Sequence, residues 1–197
     1  MSDRHQQHRP SGRSATGFYA GLATGFLATL LAGVAVWLAV VYSGLYNVAA
    51  TDPHADLVRW TFDTTMHRSV SARADEAAVE LPANPSREML ARGASHYADT
   101  CVHCHGAPGR DPTEWSRGMR PEPPHLAEAA TEWRAGEIHW IVSNGIKMTG
   151  MPAFGPHHSR DELLALTAFV SALPGLTPEE YTQLTESGGH GHSHGHE

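Results

Sequence analysis

The sequence predicts an all-α fold, with one membrane-spanning helix near the N-terminus followed by a small helical domain. Three observations predict it. No charged residue occurs from Ser14 to Thr51, apolar residues recur at three- and four-residue spacing in several later segments, and stretches rich in Pro and Gly separate those segments. A chain of 197 residues is long enough for one or two such domains.

The first predicted element is a membrane anchor over residues 17–46. Its apolar stretch runs from Phe18 to Tyr42, longer than the roughly 20 residues that cross the hydrocarbon core. The alternatives are a buried helix of a soluble protein and a cleaved signal peptide, for which small residues before Thr51 offer a cleavage site. Signal peptides carry about 7 to 15 apolar residues, so the longer run favours an uncleaved anchor.

The charges flanking this helix predict its orientation. Arg4, Arg9 and Arg13 precede it, whereas Asp52 and Asp56 are the first charged residues after it. Lys and Arg near a span stay on the cytoplasmic side. We therefore expect a single-pass protein of a bacterial inner membrane, with residues 1–16 in the cytoplasm and everything after the anchor in the periplasm.

Residues 47–85 are predicted to form an amphipathic helix and a linker. Apolar side chains recur every four residues within the segment from Leu57 to Ala74. Such a helix docks on the bilayer, on a partner subunit or on its own domain, and the pattern alone does not choose among these. Pro82 and Pro85 then mark the linker.

A small globular domain is predicted over residues 86–176. Ser86 is the expected N-cap of a helix that leads to Cys101. Two more helices are expected, near Ala135 to Ser143 and over Asp161 to Leu173. A core built from so few short helices is thin, so a large apolar group is expected to fill it.

The motif CVHCH contains the only two cysteines of the chain. Cys-x-x-Cys-His is the attachment motif of c-type haem, in which Cys101 and Cys104 form thioethers and His105 ligates the iron. A thioredoxin-type redox pair belongs to a βαβ unit, which this sequence lacks, and a zinc site needs further ligands at matching spacing. The motif therefore predicts one covalently bound haem c.

Further matches surround this motif. Gly93 and Tyr97 precede it, Phe169 lies in the last predicted helix, and the stretches PPHL and NGIKMTGMPAF follow in order. With these features, residues 86 to about 175 resemble a class I cytochrome c domain, similar to the haem-c modules of bacterial respiratory oxidases. The resemblance implies that Gly93 permits a close crossing of the first and last helices, with Phe169 as its counterpart.

The same resemblance implies roles for the loop residues. In PPHL, the carbonyl of Pro124 would accept a hydrogen bond from the proximal imidazole, and Leu126 would pack on the haem. His125 stands where the family more often has a small polar residue. The methionine segment would supply the distal ligand to the iron.

Two methionines compete for that distal position. Met151 lies between Gly150 and Pro152, which permit a close approach and favour an extended backbone, whereas Met148 lacks both neighbours. Both methionines would otherwise be ordinary core residues. Met151 is the predicted ligand, and a His/Met pair raises the reduction potential of a haem.

These features predict an electron-transfer protein rather than an enzyme: a membrane-anchored monohaem cytochrome that carries single electrons in a periplasmic respiratory chain. Its donor would be a quinol-oxidising complex or a periplasmic dehydrogenase, and its acceptor a terminal oxidase or reductase. The alternative is a fixed haem-c subunit of a membrane oxidoreductase or oxidase complex. A haem sensor or peroxidase needs an open iron position, against which Met151 argues.

Charge and the C-terminal extension complete the predictions. A net charge of -7 and a single lysine, Lys147, argue against nucleic acid as a partner.

Residues 177–197 are predicted to be an extension with a histidine-rich tail. Its histidines could bind zinc, copper or nickel ions, or the tail is a solvated end or a purification handle. They are His190, His192, His194 and His196.

Overall fold

The computed structural model describes residues 15–74, 79 and 81–189. Helices and connecting loops account for this part of the chain, and no β-strand occurs in it. The predicted all-α class is therefore confirmed. The chain divides into two compact units, residues 1–49 and residues 50–197.

The first unit contains one long helix, α1 (Ala15–Ser43). Within the described residues it is the one helix long and apolar enough to cross a membrane, over Gly17–Ser43, and none of its apolar window is buried. Thr24 and Thr29 donate their hydroxyls to the carbonyls four residues earlier, which satisfies both groups inside the helix. A helix that is apolar all round suits a lipid surrounding. Arg4, Arg9 and Arg13 lie outside the described residues.

The second unit contains eight α-helices in its described part. They are α2 (Asp56–Ser71), α3 (Arg87–His96), α4 (Val102–His105), α5 (Glu114–Arg117), α6 (Leu126–Ala129), α7 (Ala135–Asn144), α8 (Arg160–Ala172) and α9 (Pro178–Gly189). The predicted helices near 135–143 and over 161–173 are confirmed to within one residue. The amphipathic helix ends at Ser71, three residues before its predicted end.

The side-chain hydroxyls of Ser86, Ser159 and Thr177 cap the N-termini of α3, α8 and α9. The Ser86 hydroxyl accepts from the Met89 amide at 3.2 Å, which confirms the predicted cap of α3. Ser159 and Glu162 form a capping box at the start of α8, each side chain accepting from the other's backbone amide. Such caps satisfy amides that have no partner within the helix.

The core centres on the crossing of α3 and α8. A Cβ atom at Gly93 would overlap the backbone carbonyl of Ala165 and lie 2.7 Å from the Cβ of Phe169, so only glycine fits there. Tyr97 and Phe169 are fully buried, with ring centroids 5.3 Å apart. This close crossing confirms the implied roles of Gly93 and Phe169.

Helix α9 packs on α3 in the same core. Its Tyr181 and Leu184 are buried, and the Tyr181 ring lies 6.2 Å from that of Phe169. The helix begins with reciprocal hydrogen bonds between Thr177 and Glu180, at 2.8 and 3.2 Å. Residues 177–197 were predicted to be an extension beyond the domain, whereas Tyr181 and Leu184 belong to the core.

The C-terminal half of α2 packs on α7 and the segment before it. Val70 is buried, and the Ser71 hydroxyl donates to Glu137 Oε1 at 2.6 Å. The His67 ring stacks on Trp133, with centroids 4.4 Å apart and planes nearly parallel. The sequence pattern left three docking surfaces open: the bilayer, a partner subunit and the protein's own domain. This half of the helix packs on its own domain.

Candidate haem site

A cavity of about 350 Å³ opens between the loops of the second unit. Most of its lining is apolar, with Ile138, Val142, Leu166 and Val170 supplied by α7 and α8. All six residues predicted to bind haem line this same cavity. They are Cys101, Cys104, His105, Pro124, Leu126 and Met151.

The CVHCH motif reaches the cavity through a change of helical pitch. A π-helical turn, Tyr97–Cys101, follows α3 and widens the backbone just before the first cysteine. The rest of the motif then forms the short helix α4, which is capped by Gly106. The buried Tyr97 hydroxyl donates to the Gly106 carbonyl at 2.6 Å. This bond fixes the end of the motif to the core of the domain.

Both cysteines are half-buried. Burial raises the pKa of Cys101, the Thr100 hydroxyl opposes that shift, and the neighbouring Cys104 adds to it. Burial also raises the pKa of Cys104. Both cysteines lie on the wall of one cavity.

His105 is oriented by a backbone carbonyl. Its Nδ1–H donates to the carbonyl of Pro124 at 2.8 Å. Burial lowers the pKa of His105, the Pro124 hydrogen bond opposes this shift, and the charge of nearby His125 lowers it further. Burial of the ring therefore favours its neutral form. Because Nδ1 is engaged, Nε2 is the nitrogen left for a metal.

The loop that carries Met151 is held by hydrogen bonds of the Met151 backbone. The Met151 carbonyl accepts from the Ile146 amide at 3.3 Å, and the Met151 amide donates to the Thr149 hydroxyl at 3.1 Å. Gly145 has a φ of +64°, and a Cβ there would lie 2.6 Å from the Pro152 carbonyl carbon. A side chain at position 145 would therefore displace the methionine loop.

The structure separates the two competing methionines. Met151 is partly buried, packs on the core and lines the cavity. Met148 is 78% exposed and is not among the lining residues. Of the two, only Met151 lines the cavity. A third methionine, Met119, also lines the cavity and was not singled out from the sequence.

Other lining residues were missed as well. Asp63, Met66 and His67 come from α2, and Trp133 precedes α7. Met66 belongs to the apolar repeat read from the sequence, but nothing in that repeat indicates which surface the helix covers. The four tail histidines lie outside the described residues.

The residues around the cavity suit a haem attached by thioethers. The cleft is mostly apolar, two cysteines at the attachment spacing lie on its wall, and a histidine and a methionine also line it. The helical fold and this donor set are those of a class I c-type cytochrome domain.

Comparison with known families agrees with this class. Residues 88–170 match the family described as cytochrome C oxidase, cbb3-type, subunit III. This segment is a class I c-type cytochrome domain of the kind found in the haem-c subunits of those oxidases. It binds haem c covalently and takes part in electron transfer. No curated protein and no solved structure gives a significant match.

Proposed function

We propose that this protein is a membrane-anchored carrier of single electrons in a bacterial respiratory chain, with one His/Met-ligated haem c. The observation that carries the proposal is the cavity that gathers Cys101, Cys104, His105 and Met151 on its walls. A haem bound there supplies a one-electron couple at its iron. The side chains around it supply attachment, ligation and shielding from water.

Each cavity residue then has a defined task. Cys101 and Cys104 hold the haem covalently, and His105 is the proximal ligand through Nε2. The Pro124 carbonyl fixes the imidazole plane and raises its basicity by accepting the Nδ1 proton. Leu126, half-buried beside it, keeps water from the proximal face.

Met151 is the distal ligand in this proposal. A thioether is a soft ligand that favours ferrous iron, so it raises the reduction potential and closes the sixth position. Residues 144–154 support that placement, because the methionine loop is hydrogen-bonded at several points and Phe154 is tied to Val142 at 3.1 Å. A closed sixth position suits electron transfer better than catalysis at the iron.

The test compares two methionine variants of the full chain. Met151→Ala is expected to lower the reduction potential, to remove the weak sulfur-to-iron absorption band of the ferric protein, and to admit carbon monoxide to the ferrous protein. Met148→Ala is the matched control, three residues away and exposed, and is expected to change none of these. Survival of the band in Met151→Ala, with its loss in Met148→Ala, would contradict the assignment.

The proposed location follows from the candidate span. Helix α1 anchors the protein in the inner membrane, and the haem domain lies on the periplasmic side, where c-type haem is attached. Residues 1–16 are the cytoplasmic end, residues 17–46 the anchor, residues 47–85 the connection, and residues 86–176 the haem-binding part. The electron donor is a quinol-oxidising complex or a periplasmic dehydrogenase, and the acceptor is a terminal oxidase or reductase.

A second candidate function is that of a fixed subunit in a membrane oxidase complex. The description of the matched family, an oxidase subunit, favours it. Exposed apolar side chains at the start of α2, Leu57 and Trp60, also favour contact with another surface. Co-purification of an oxidase in mild detergent would support this candidate, and recovery of the cytochrome alone would support the free carrier.

A further inference from the structure

Helix α2 lies outside the segment that matches the cytochrome family, yet it forms part of the haem cavity. The match begins at residue 88, whereas α2 ends at Ser71. Asp63, Met66 and His67 nevertheless line the same cavity as the two cysteines. The cavity is thus not made by the family domain alone.

One face of α2 carries all of these contacts. Residues 63, 66, 67 and 70 follow the i, i+3, i+4, i+7 spacing that places side chains on one side of a helix. Val70 on this face is 1% exposed, and Met66 is half-buried. Asp63 and His67, on the same face, are exposed, as are Thr61 and Arg68 on the opposite side.

Three contacts hold this face against the cavity wall. Val70 is buried, His67 stacks on Trp133, and Ser71 donates to Glu137. Glu137 also accepts from the Arg134 side chain and amide, both at 3.0 Å, so its carboxylate joins α2 to the first turn of α7. The position of α2 is therefore fixed by both apolar and polar contacts.

Resting on the proposed function, we propose that α2 is an additional wall of the haem pocket. Met66 and His67 contact the bound haem and exclude water from its edge, and Asp63 places a negative charge beside it. Exclusion of water disfavours the more positive ferric state, which raises the reduction potential, whereas a nearby carboxylate stabilises the ferric state and lowers it. Two positions on one helix thus act on the potential in opposite directions.

The test is a redox titration of full-length variants in detergent. Met66→Ala is expected to lower the reduction potential and Met66→Leu to restore it, because Leu refills the apolar volume without a sulfur atom. Asp63→Asn is expected to raise the potential. Thr61→Ala on the opposite face of α2, and Glu179→Gln on α9, are the matched controls and are expected to leave it unchanged.

Salt separates an electrostatic effect from loosening of the helix. The shift caused by Asp63→Asn should shrink as ionic strength rises, because Asp63 is exposed and its field is screened. The shift caused by Met66→Ala should persist. If both variants lower the potential and ignore salt, α2 only supports the fold and the inference is wrong.

A second readout does not depend on the potential. With ¹³C-labelled methionine methyl groups, the Met66 resonance should move between the ferrous and the paramagnetic ferric protein, and that of the exposed Met148 should move less. Met66→Leu identifies the signal. If the chemical shift of Met66 is the same in both redox states of a protein that retains its haem and its Met151 ligation, this inference alone is overturned. A missing haem would instead overturn the proposed function.

Discussion

At the scale of single residues, the haem site depends on side chains that position the ligands. Tyr97 holds the end of CVHCH through the Gly106 carbonyl, and the Pro124 carbonyl holds the ring of His105. The motif itself predicts the attachment chemistry, because two thiols and an imidazole at this spacing meet one macrocycle. The positioning bonds depend on the fold: the resemblance to a family implied the bond from His105 to Pro124, whereas nothing in the sequence indicated the bond from Tyr97 to Gly106.

Tyr97→Phe tests the bond that fixes the motif. The variant leaves the buried Gly106 carbonyl without its donor, so we expect the free energy of unfolding to fall by about 1 to 2 kcal/mol. Chemical denaturation followed by circular dichroism measures it. Tyr19→Phe, in α1, is the control for a tyrosine far from CVHCH in the sequence. Equal stability of Tyr97→Phe and the wild type would show that the bond contributes nothing.

At the scale of elements, periodic apolar patterns predicted the longer helices well. Helices α1, α3, α7 and α8 lie where the sequence places them, because each has a clear repeat or a polar cap. Helix α9 was missed because its buried positions, Tyr181 and Leu184, are few and stand among polar residues. The Thr177–Glu180 capping box was the signal that could have revealed it.

Leu184→Ala tests whether α9 belongs to the folded core. Leu184 is 5% exposed, so its truncation is expected to cost about 2 to 4 kcal/mol of unfolding free energy. Thr182→Ala, exposed on the same helix, should change stability little. Thermal or chemical denaturation gives both values. A Leu184→Ala protein as stable as the wild type would mean that α9 is a dispensable appendage.

Glu137 tests the attachment of α2. Hydrogen bonds from the Arg134 side chain, from Ser71 and from the Arg134 amide hold the pKa of Glu137 at about 2, below its usual 4.5. A lowered folded-state pKa means that the stabilisation is present above pH 4.5 and is lost as pH falls towards 2. Glu137→Gln should therefore lower the unfolding free energy by about 2 kcal/mol at neutral pH.

The pH dependence distinguishes this mechanism from simple loss of packing. The difference in stability between wild type and Glu137→Gln should narrow as pH falls below 4.5, because the wild-type carboxylate is then protonated on unfolding and finally in the folded state. Glu128→Gln, an exposed carboxylate on α6, is the control. A difference that stays constant over this range would contradict the assigned role of Glu137.

At the scale of the whole molecule, a candidate membrane span and a c-type cytochrome domain occur in one chain. Both could be predicted from the sequence, because an uninterrupted apolar run and the CVHCH motif are local signals. The contribution of α2 to the cavity could not, because an amphipathic repeat reveals that a face is buried but not what buries it. That contact arises from tertiary packing on α7 and Trp133.

The most direct test of the central claim is an optical redox titration of the full-length protein in detergent, with haem counted by the pyridine haemochrome assay. We expect one haem per chain and a single one-electron wave. The ferric form should show the sulfur-to-iron band, and the ferrous form should not bind carbon monoxide. Two waves, more than one haem per chain, or immediate binding of carbon monoxide by the unaltered protein would contradict a His/Met-ligated carrier of single electrons.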